Sequence, residues 1–468
     1  MIFRTFFTNS FGILVSRIFG FVRDLLTANI LGANIYSDMF FVAFKLPNLF
    51  RRIFAEGAFT QAFLPAFTKS RTKGVFALHV FVRFFIFIIF LTTLVIVFSP
   101  FITKIFAYGF DNEQVLQTAP LVSINFFYLV LIYAVTFMAS LLQYRSHFAT
   151  TAFSTALLNI AMIISLLLSN ISTPEKTVYY LSFGVIAGGF LQVLVHIYAM
   201  KKMGLFPLVF GAIKYRKTHK QNENERKVFY KNFFHSVLGG STVQLSSFID
   251  TWLASFLAAG SISYLYYANR IFQLPLALFA IALSIGIFPR ITKLIKNSNE
   301  SEAIKLLTKG FWFLTFLLSA SALGGILLCE PIIKILFERG SFNSNDTVIC
   351  AEVLSMYLLG LVPFGLSRVF SLWLFAQQRQ KEAAMISAVS LGCGALLSFA
   401  LVYILGVIGL ALANSISGLL LFILTIRAFG IKIFFSIIKL KKLTVLLAVL
   451  VGEFFVLSAL KDILQPLF

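Results

Sequence analysis

The sequence predicts an all-α polytopic membrane protein: two pseudo-symmetric six-helix lobes plus one or two C-terminal helices, 13–14 spans in total, with a cytoplasmic N-terminus. Three observations carry this. Of the 468 residues, 59% are hydrophobic, against roughly 45–50% in soluble domains. Apolar runs of about 20 residues, each enough to cross ~30 Å of hydrocarbon, recur from end to end. They are continuous, unlike the ~10-residue alternating segments of a β-barrel. Finally, short motifs return about half a chain apart.

The spans fall near 6–31, 37–64, 77–100, 117–143, 148–170, 177–200, 228–258, 262–289, 308–337, 348–376, 382–405, 407–427 and 443–460. The first lacks the basic n-region, clean h-region and small-residue cleavage site of a signal peptide, so it reads as a span. It contains "SRIFGFVRD" (16–24), and the second contains Asp38, Lys45, Arg51, Arg52 and Glu56. The stretch 201–227 is basic and links the halves. The run 430–442, "GIKIFFSIIKLKK", is too short to cross and alternates apolar with basic residues, which predicts an interfacial helix. These boundaries place an N-lobe at 1–200, a basic linker at 201–227, a C-lobe at 228–429 and a terminal appendix at 430–468.

Basic residues set the orientation. With the N-terminus inside, 26 of the 39 Lys and Arg fall in cytoplasmic loops, five in outer loops and eight within spans. That asymmetry is a positive-inside pattern, and one missed span would scramble it. The net charge of +21 therefore reports topology and attraction to anionic membrane lipids, with no call for a nucleic-acid partner.

"FLPAFTK" (63–69) pairs with "IFPRITK" (287–293), each after an upstream Leu-Pro, at Pro47 and Pro275. "QYRSHFA" (143–149) pairs with "QQRQKEA" (377–383), with Gln, Arg and Ala in register. All face the same side, so the repeat is parallel. Duplicated membrane proteins of this kind are commonly transporters that rock one half against the other.

Several chemistries lack their residues. Cys329, Cys350 and Cys393 have no paired or metal-type spacing and read as small apolar fillers. The five histidines are isolated, and no P-loop occurs. The outer loops are short and their acids scattered, so an enzyme is not expected. Phenylalanine, at 57 copies, reads as lipid-facing filler.

Eight cations lie within spans: Arg17, Arg23, Lys45, Arg51, Arg52, Arg83, Arg270 and Arg368. Arg83 and Arg368 lie towards span ends, where long side chains snorkel. The others concentrate in spans 1, 2 and 8, with Asp24, Asp38 and Glu56 as nearby acids. Helical spacing puts Arg17 with Asp24, and Arg52 with Glu56, on shared stripes; Arg23 and Arg51 point elsewhere, and Arg270 has no acid in its span. Helix-locking ion pairs explain part of this set but leave a cationic surplus. Four arginines at ~3 kcal/mol each represent about 12 kcal/mol of insertion cost, which favours a water-filled cavity for an anionic substrate. Guanidinium forks suit phosphate oxygens. A lipid with a charged, sugar-bearing head fits, its tails staying in the bilayer.

These residues also resemble a known family. "SRIFGFVRD", "SDMFFVAFKLPNLFRRIFAEGAFTQAFLPAF" (37–67) and "YYANRIFQLP" (266–275) are similar to the MurJ (MviN) family, lipid II flippases of the MOP exporter superfamily, whose fold is MATE-like. The resemblance implies a multi-pass protein of the bacterial inner membrane. It would move lipid II, the undecaprenyl-diphosphate-linked peptidoglycan precursor, to the periplasmic leaflet by alternating access. It implies a monomer, with the cell-wall synthesis machinery as a candidate partner. The family's essential arginines fall on Arg17, Arg23, Arg51 and Arg270, and its acids on Asp24, Asp38 and Glu56; Arg52 neighbours the set. No cofactor is implied beyond coupling to Na+ or to the membrane potential. Asp250 matches an aspartate that binds sodium in some members, whereas Gln380 stands where their later helix has an acid. A paired helix acid is the other reading of Asp250. Members often have fourteen helices; this chain shows thirteen. The alternative cargoes are another polyprenyl-linked oligosaccharide or small-molecule drugs.

Overall fold

The computed structural model describes residues 2–51, 58–169, 171–215 and 223–464, with side chains at all of these except 2–7, 9–10, 223–225, 235, 238–246 and 462–464. No strand occurs among the described residues. The chain divides into two compact units, Met1–Gly260 and Ser261–Phe468.

The first unit contains α1 (Ile2–Leu31), α2 (Ile35–Phe50), α3 (Ala58–Lys69), α4 (Lys73–Val97), α5 (Ser99–Phe106), α6 (Asn112–Tyr144), α7 (Ala149–Ser169), α8 (Pro174–Lys202), α9 (Phe206–Tyr215) and α10 (Glu223–Ala254). α1 packs on α7, α7 on α8, α2 on α6, and α10 on α3. Phenylalanine supplies much of this core. Phe59, Phe63, Phe76 and Phe229 are fully buried, and Phe229 meets Phe59, Phe63, Phe76 and Phe84 edge-on. Edge-to-face packing is favourable beyond the buried area. This corrects the lipid-filler reading for a good share of the phenylalanines. Part of the 201–227 stretch is also folded: α9 packs its Val209 and Ala212 on Val75 and Leu78 of α4. Gly74 permits that approach, since a Cβ there would sit 2.3 Å from the Leu208 carbonyl oxygen.

The second unit contains α11 (Ser261–Pro275), a π-helical turn (Leu276–Ile281), α12 (Ala282–Lys296), α13 (Glu300–Leu327), α14 (Cys329–Phe337), α15 (Ser344–Leu359), α16 (Leu361–Ala376), α17 (Gln380–Phe429), α18 (Ile431–Ile437) and α19 (Leu440–Leu464). The π turn follows Pro275 directly, where the missing N–H invites a local rearrangement. α17 runs through both predicted spans 382–405 and 407–427, but breaks at Gly406, whose φ of 57° and ψ of −134° are non-helical. α18 is the short helix expected in 430–442.

The duplication is visible in the detail of each unit. Pro65 lies inside α3 and Pro289 inside α12. α4 and α13 each end at a residue with φ near −100° (Phe98, Leu328), then pass into a short Pro-containing helix, α5 or α14. Each short helix is followed by a buried phenylalanine, Phe110 or Phe342, and a capping box, Asp111 with Gln114 or Asn343 with Asp346. The long helical stretches that follow end at Tyr144 and Ala376, each closed by a residue with positive φ, Ser146 or Gln378. In these turns the structural offset is 232 residues (Ser146 to Gln378), two fewer than the 234 of the Gln-Arg-Ala match.

Nine helical stretches among the described residues are long and apolar enough to cross a membrane. The predicted spans missing from that set are α1, α2 with α3, and α10. They carry Arg17, Arg23, Asp24, Asp38, Lys45, Arg51 and Asp250. α17 covers two of the expected segments, 382–405 and 407–427, on either side of Gly406.

Candidate functional site: charged side chains on spans 1, 2 and 8

In α1, Arg23 and Asp24 are 6% and 1% exposed. Arg23 donates from Nη2 and Nε to Asp24 Oδ1, at 2.6 and 3.0 Å. Its Nη1 donates to Asn159 Oδ1 of α7 at 2.9 Å, and its guanidinium carbon lies 5.8 Å from the Phe44 ring centre in α2. Three helices therefore meet at one guanidinium. Asn159 is itself placed: its amide donates to the Ser16 carbonyl at 3.1 Å, and Gly20 leaves room for it.

The expected partner for Asp24 was Arg17, seven residues away on the same stripe. Asp24 instead pairs with its neighbour Arg23, because a long arginine can curl back along the helix where the backbone direction alone separates adjacent residues. Arg17 is exposed and has no hydrogen bond or ion pair among the described residues.

α2 begins with a capping box in which the Asn34 side chain accepts from Ser37 N–H and the Ser37 hydroxyl accepts from Asn34 N–H. This cap positions Asp38, which is 2% exposed. Its Oδ2 accepts the Gly260 N–H at 2.7 Å, tying α2 to the chain just past α10. Lys45 donates to Thr251 Oγ1 of α10, a second tie between the same helices. Arg51 is half-buried where α2 ends, and Asp250 is half-buried in α10. Arg52 and Glu56 lie outside the described residues.

In the second unit, Arg270 is half-buried on α11. It donates from Nη2 to the Tyr266 hydroxyl at 2.6 Å and lies over the same ring at 4.8 Å. A tyrosine one turn away thus holds the guanidinium through both its hydroxyl and its ring. Among the described residues, no group of three or more His, Cys, Asp or Glu could hold a metal ion. Cys350 is buried, Cys329 and Cys393 are half-buried, and all three are free.

In the first unit the Arg23 guanidinium is held by Asp24 and Asn159, and in the second the Arg270 guanidinium is held by Tyr266. A model of the lipid II flippase MurJ family matches residues 27–464. A protein of Helicobacter pylori strain J99 named "probable lipid II flippase MurJ" is 50% identical over 93% of this chain and 97% of its own length. The chain belongs to the lipid II flippase MurJ family. A relative of the same name from Buchnera aphidicola of Acyrthosiphon pisum is 33% identical over 88% of this chain and 81% of its own. A solved lipid II flippase MurJ in an inward closed conformation is 26% identical with a TM-score of 0.77, covering 98% of this chain and 99% of that one. An inward-facing MATE-family multidrug resistance transporter of the MOP superfamily shares the fold at 13% identity, TM-score 0.71, over 89% and 94%.

Sequence reasoning missed Asn159 and Tyr266. Asn159 was visible as an amide inside the apolar run "LLNIAMII", which is costly unless bonded. Tyr266 had no signal beyond its four-residue spacing from Arg270.

Proposed function

We propose that this chain moves lipid II from the cytoplasmic to the periplasmic leaflet of the bacterial inner membrane by alternating access, with the N-terminus in the cytoplasm. Arg17, Arg23, Arg51, Arg52 and Arg270 receive the diphosphate and headgroup, and Asp24, Asp38 and Glu56 hold the cationic set in place. The lobes rock at the level of the repeat, 1–200 against 228–429, with Na+ or the membrane potential supplying the drive and Asp250 as the candidate ion ligand. The reading rests chiefly on the 50% identity with the H. pylori relative over nearly its whole length. The cationic surplus of the spans supports it, since a cation exporter would need surplus acids instead.

The test is complementation of cells depleted of their own flippase. Arg23→Ala, Arg51→Ala and Arg270→Ala are each expected to fail to support growth at normal protein levels. Growth of all three would overturn the site assignment. Following lipid II crossing in vesicles, with sodium and membrane potential varied separately, identifies the driving force.

A further inference from the structure

A groove of about 640 Å³ lies between α13 and α19 of the second unit. Lys309, Lys441 and Lys442 stand at one end of it, and Trp312, Phe313 and Phe316, with two aliphatic side chains, form the rest. No acidic side chain lines it. On α13, Lys309, Trp312, Phe313 and Phe316 recur at helical spacing, a stripe roughly 10 Å long at 1.5 Å per residue. Lys441 and Lys442 enter from the first turn of α19. The Lys442 ammonium lies 5.6 Å over the Trp312 ring, and the indole N–H is fixed by the Ile437 carbonyl of α18 at 3.2 Å. Glu302, the nearest acid in α13, is occupied by Lys305 at 2.7 Å. α19 is also the least buried of the apolar spans, with 6% of its window covered by protein.

We propose that this groove is a binding site for an anionic glycerophospholipid. The phosphodiester lies among Lys309, Lys441 and Lys442, and an acyl chain lies along the exposed Phe313 and half-buried Phe316, with the buried Trp312 beneath them. Three lysines without a carboxylate complement a net negative headgroup; a zwitterionic head would bring a cation with nothing to receive it. The apolar floor disfavours a soluble anion, which would leave that surface bare. Basic pockets between spans are a recognised form of anionic-lipid site. The bound lipid would bridge α13 to an α19 that protein contacts hold weakly. This does not depend on the cargo or on the arginines of spans 1, 2 and 8.

The chain has three tryptophans, at 252, 312 and 373. The full chain carrying Trp252→Phe and Trp373→Phe leaves Trp312 as the sole indole, reporting on the groove. It is reconstituted in phosphatidylcholine vesicles into which brominated phosphatidylglycerol or brominated phosphatidylcholine is titrated. Brominated phosphatidylglycerol is expected to quench Trp312 at a mole fraction at least about fivefold lower, the equivalent of one lysine–lipid contact. Combined Lys309→Gln, Lys441→Gln and Lys442→Gln substitution is expected to abolish that preference while leaving quenching by brominated phosphatidylcholine unchanged. Equal quenching by the two lipids overturns the proposal, as does a preference that survives the triple substitution. Displacement by undecaprenyl diphosphate more readily than by phosphatidylglycerol also overturns it, by assigning the groove to the polyprenyl carrier. Should the tryptophan variant not fold, native mass spectrometry of the unaltered chain provides the second measurement. It is expected to retain phosphatidylglycerol that the triple lysine variant loses; equal retention overturns the proposal.

Discussion

Arg23, at 6% exposure, is held by one carboxylate and one amide. Asp24 supplies the counter-charge at 2.6 Å, and Asn159 orients the remaining amino group from α7. Removing one member of a buried pair costs far more than removing both, because the survivor stays desolvated. Asp24→Ala is therefore expected to lower stability by about 3–5 kcal/mol. The double variant Arg23→Met/Asp24→Ala should recover a large part of that loss while still failing to complement, which separates the fold from the function of the pair. Thermal unfolding in detergent, read by intrinsic fluorescence, gives the comparison; a double variant no more stable than the single would refute the pairing argument. Asn159→Leu preserves size but removes the hydrogen bonds to the Arg23 guanidinium and the Ser16 carbonyl, the charged one alone a loss of about 1.5–3 kcal/mol. It is expected to fall between wild type and Asp24→Ala in the same melt.

The helices break where the backbone demands it. At Gly406 a φ of 57° and ψ of −134° are closed to residues with a Cβ, and no atom lies within 4 Å of where that Cβ would be. Any effect of Gly406→Ala is therefore backbone strain alone, of order 1–3 kcal/mol. Gly392, in the same helix with equally open surroundings, has ordinary helical geometry. There alanine should stabilise, by roughly 0.8–1 kcal/mol. Opposite signs from the same substitution fourteen residues apart are the expected outcome of thermal unfolding on the two variants. A neutral Gly406→Ala would mean that α17 passes through its two spans without needing this break. The short helices α5 and α14 make the same point by another route, each entered through a kink and carrying a proline.

At the scale of the molecule, most of the architecture could be read from the chain because hydrocarbon imposes a single rule: each span must be apolar for about 20 residues or carry charge for a reason. Spans without charge were therefore easy to place, and the duplication followed from proline and basic residues at their ends. Partnerships were harder. Stripe geometry paired Asp24 with Arg17, but side-chain length decided for Arg23; the ties of Asp38 to Gly260 and Lys45 to Thr251 join residues more than 200 positions apart, beyond the reach of any local pattern. Orientation belongs to this scale as well, since it is a property of all the loops together. The turns at Gly109 and Gly340 occupy equivalent places in the repeat, after α5 and α14, on the side poor in lysine and arginine. The turns near Arg71 and Ser298 lie on the basic side. Membrane insertion holds basic loops in the cytoplasm. Alkaline phosphatase fused after Gly109 or Gly340 is therefore expected to be active in intact cells, and fused after Arg71 or Ser298 inactive. Because the repeat is parallel, both members of each pair must agree. A split result within a pair would break the duplication, and a reversed result in both would place the N-terminus outside, with the basic loops on the periplasmic face.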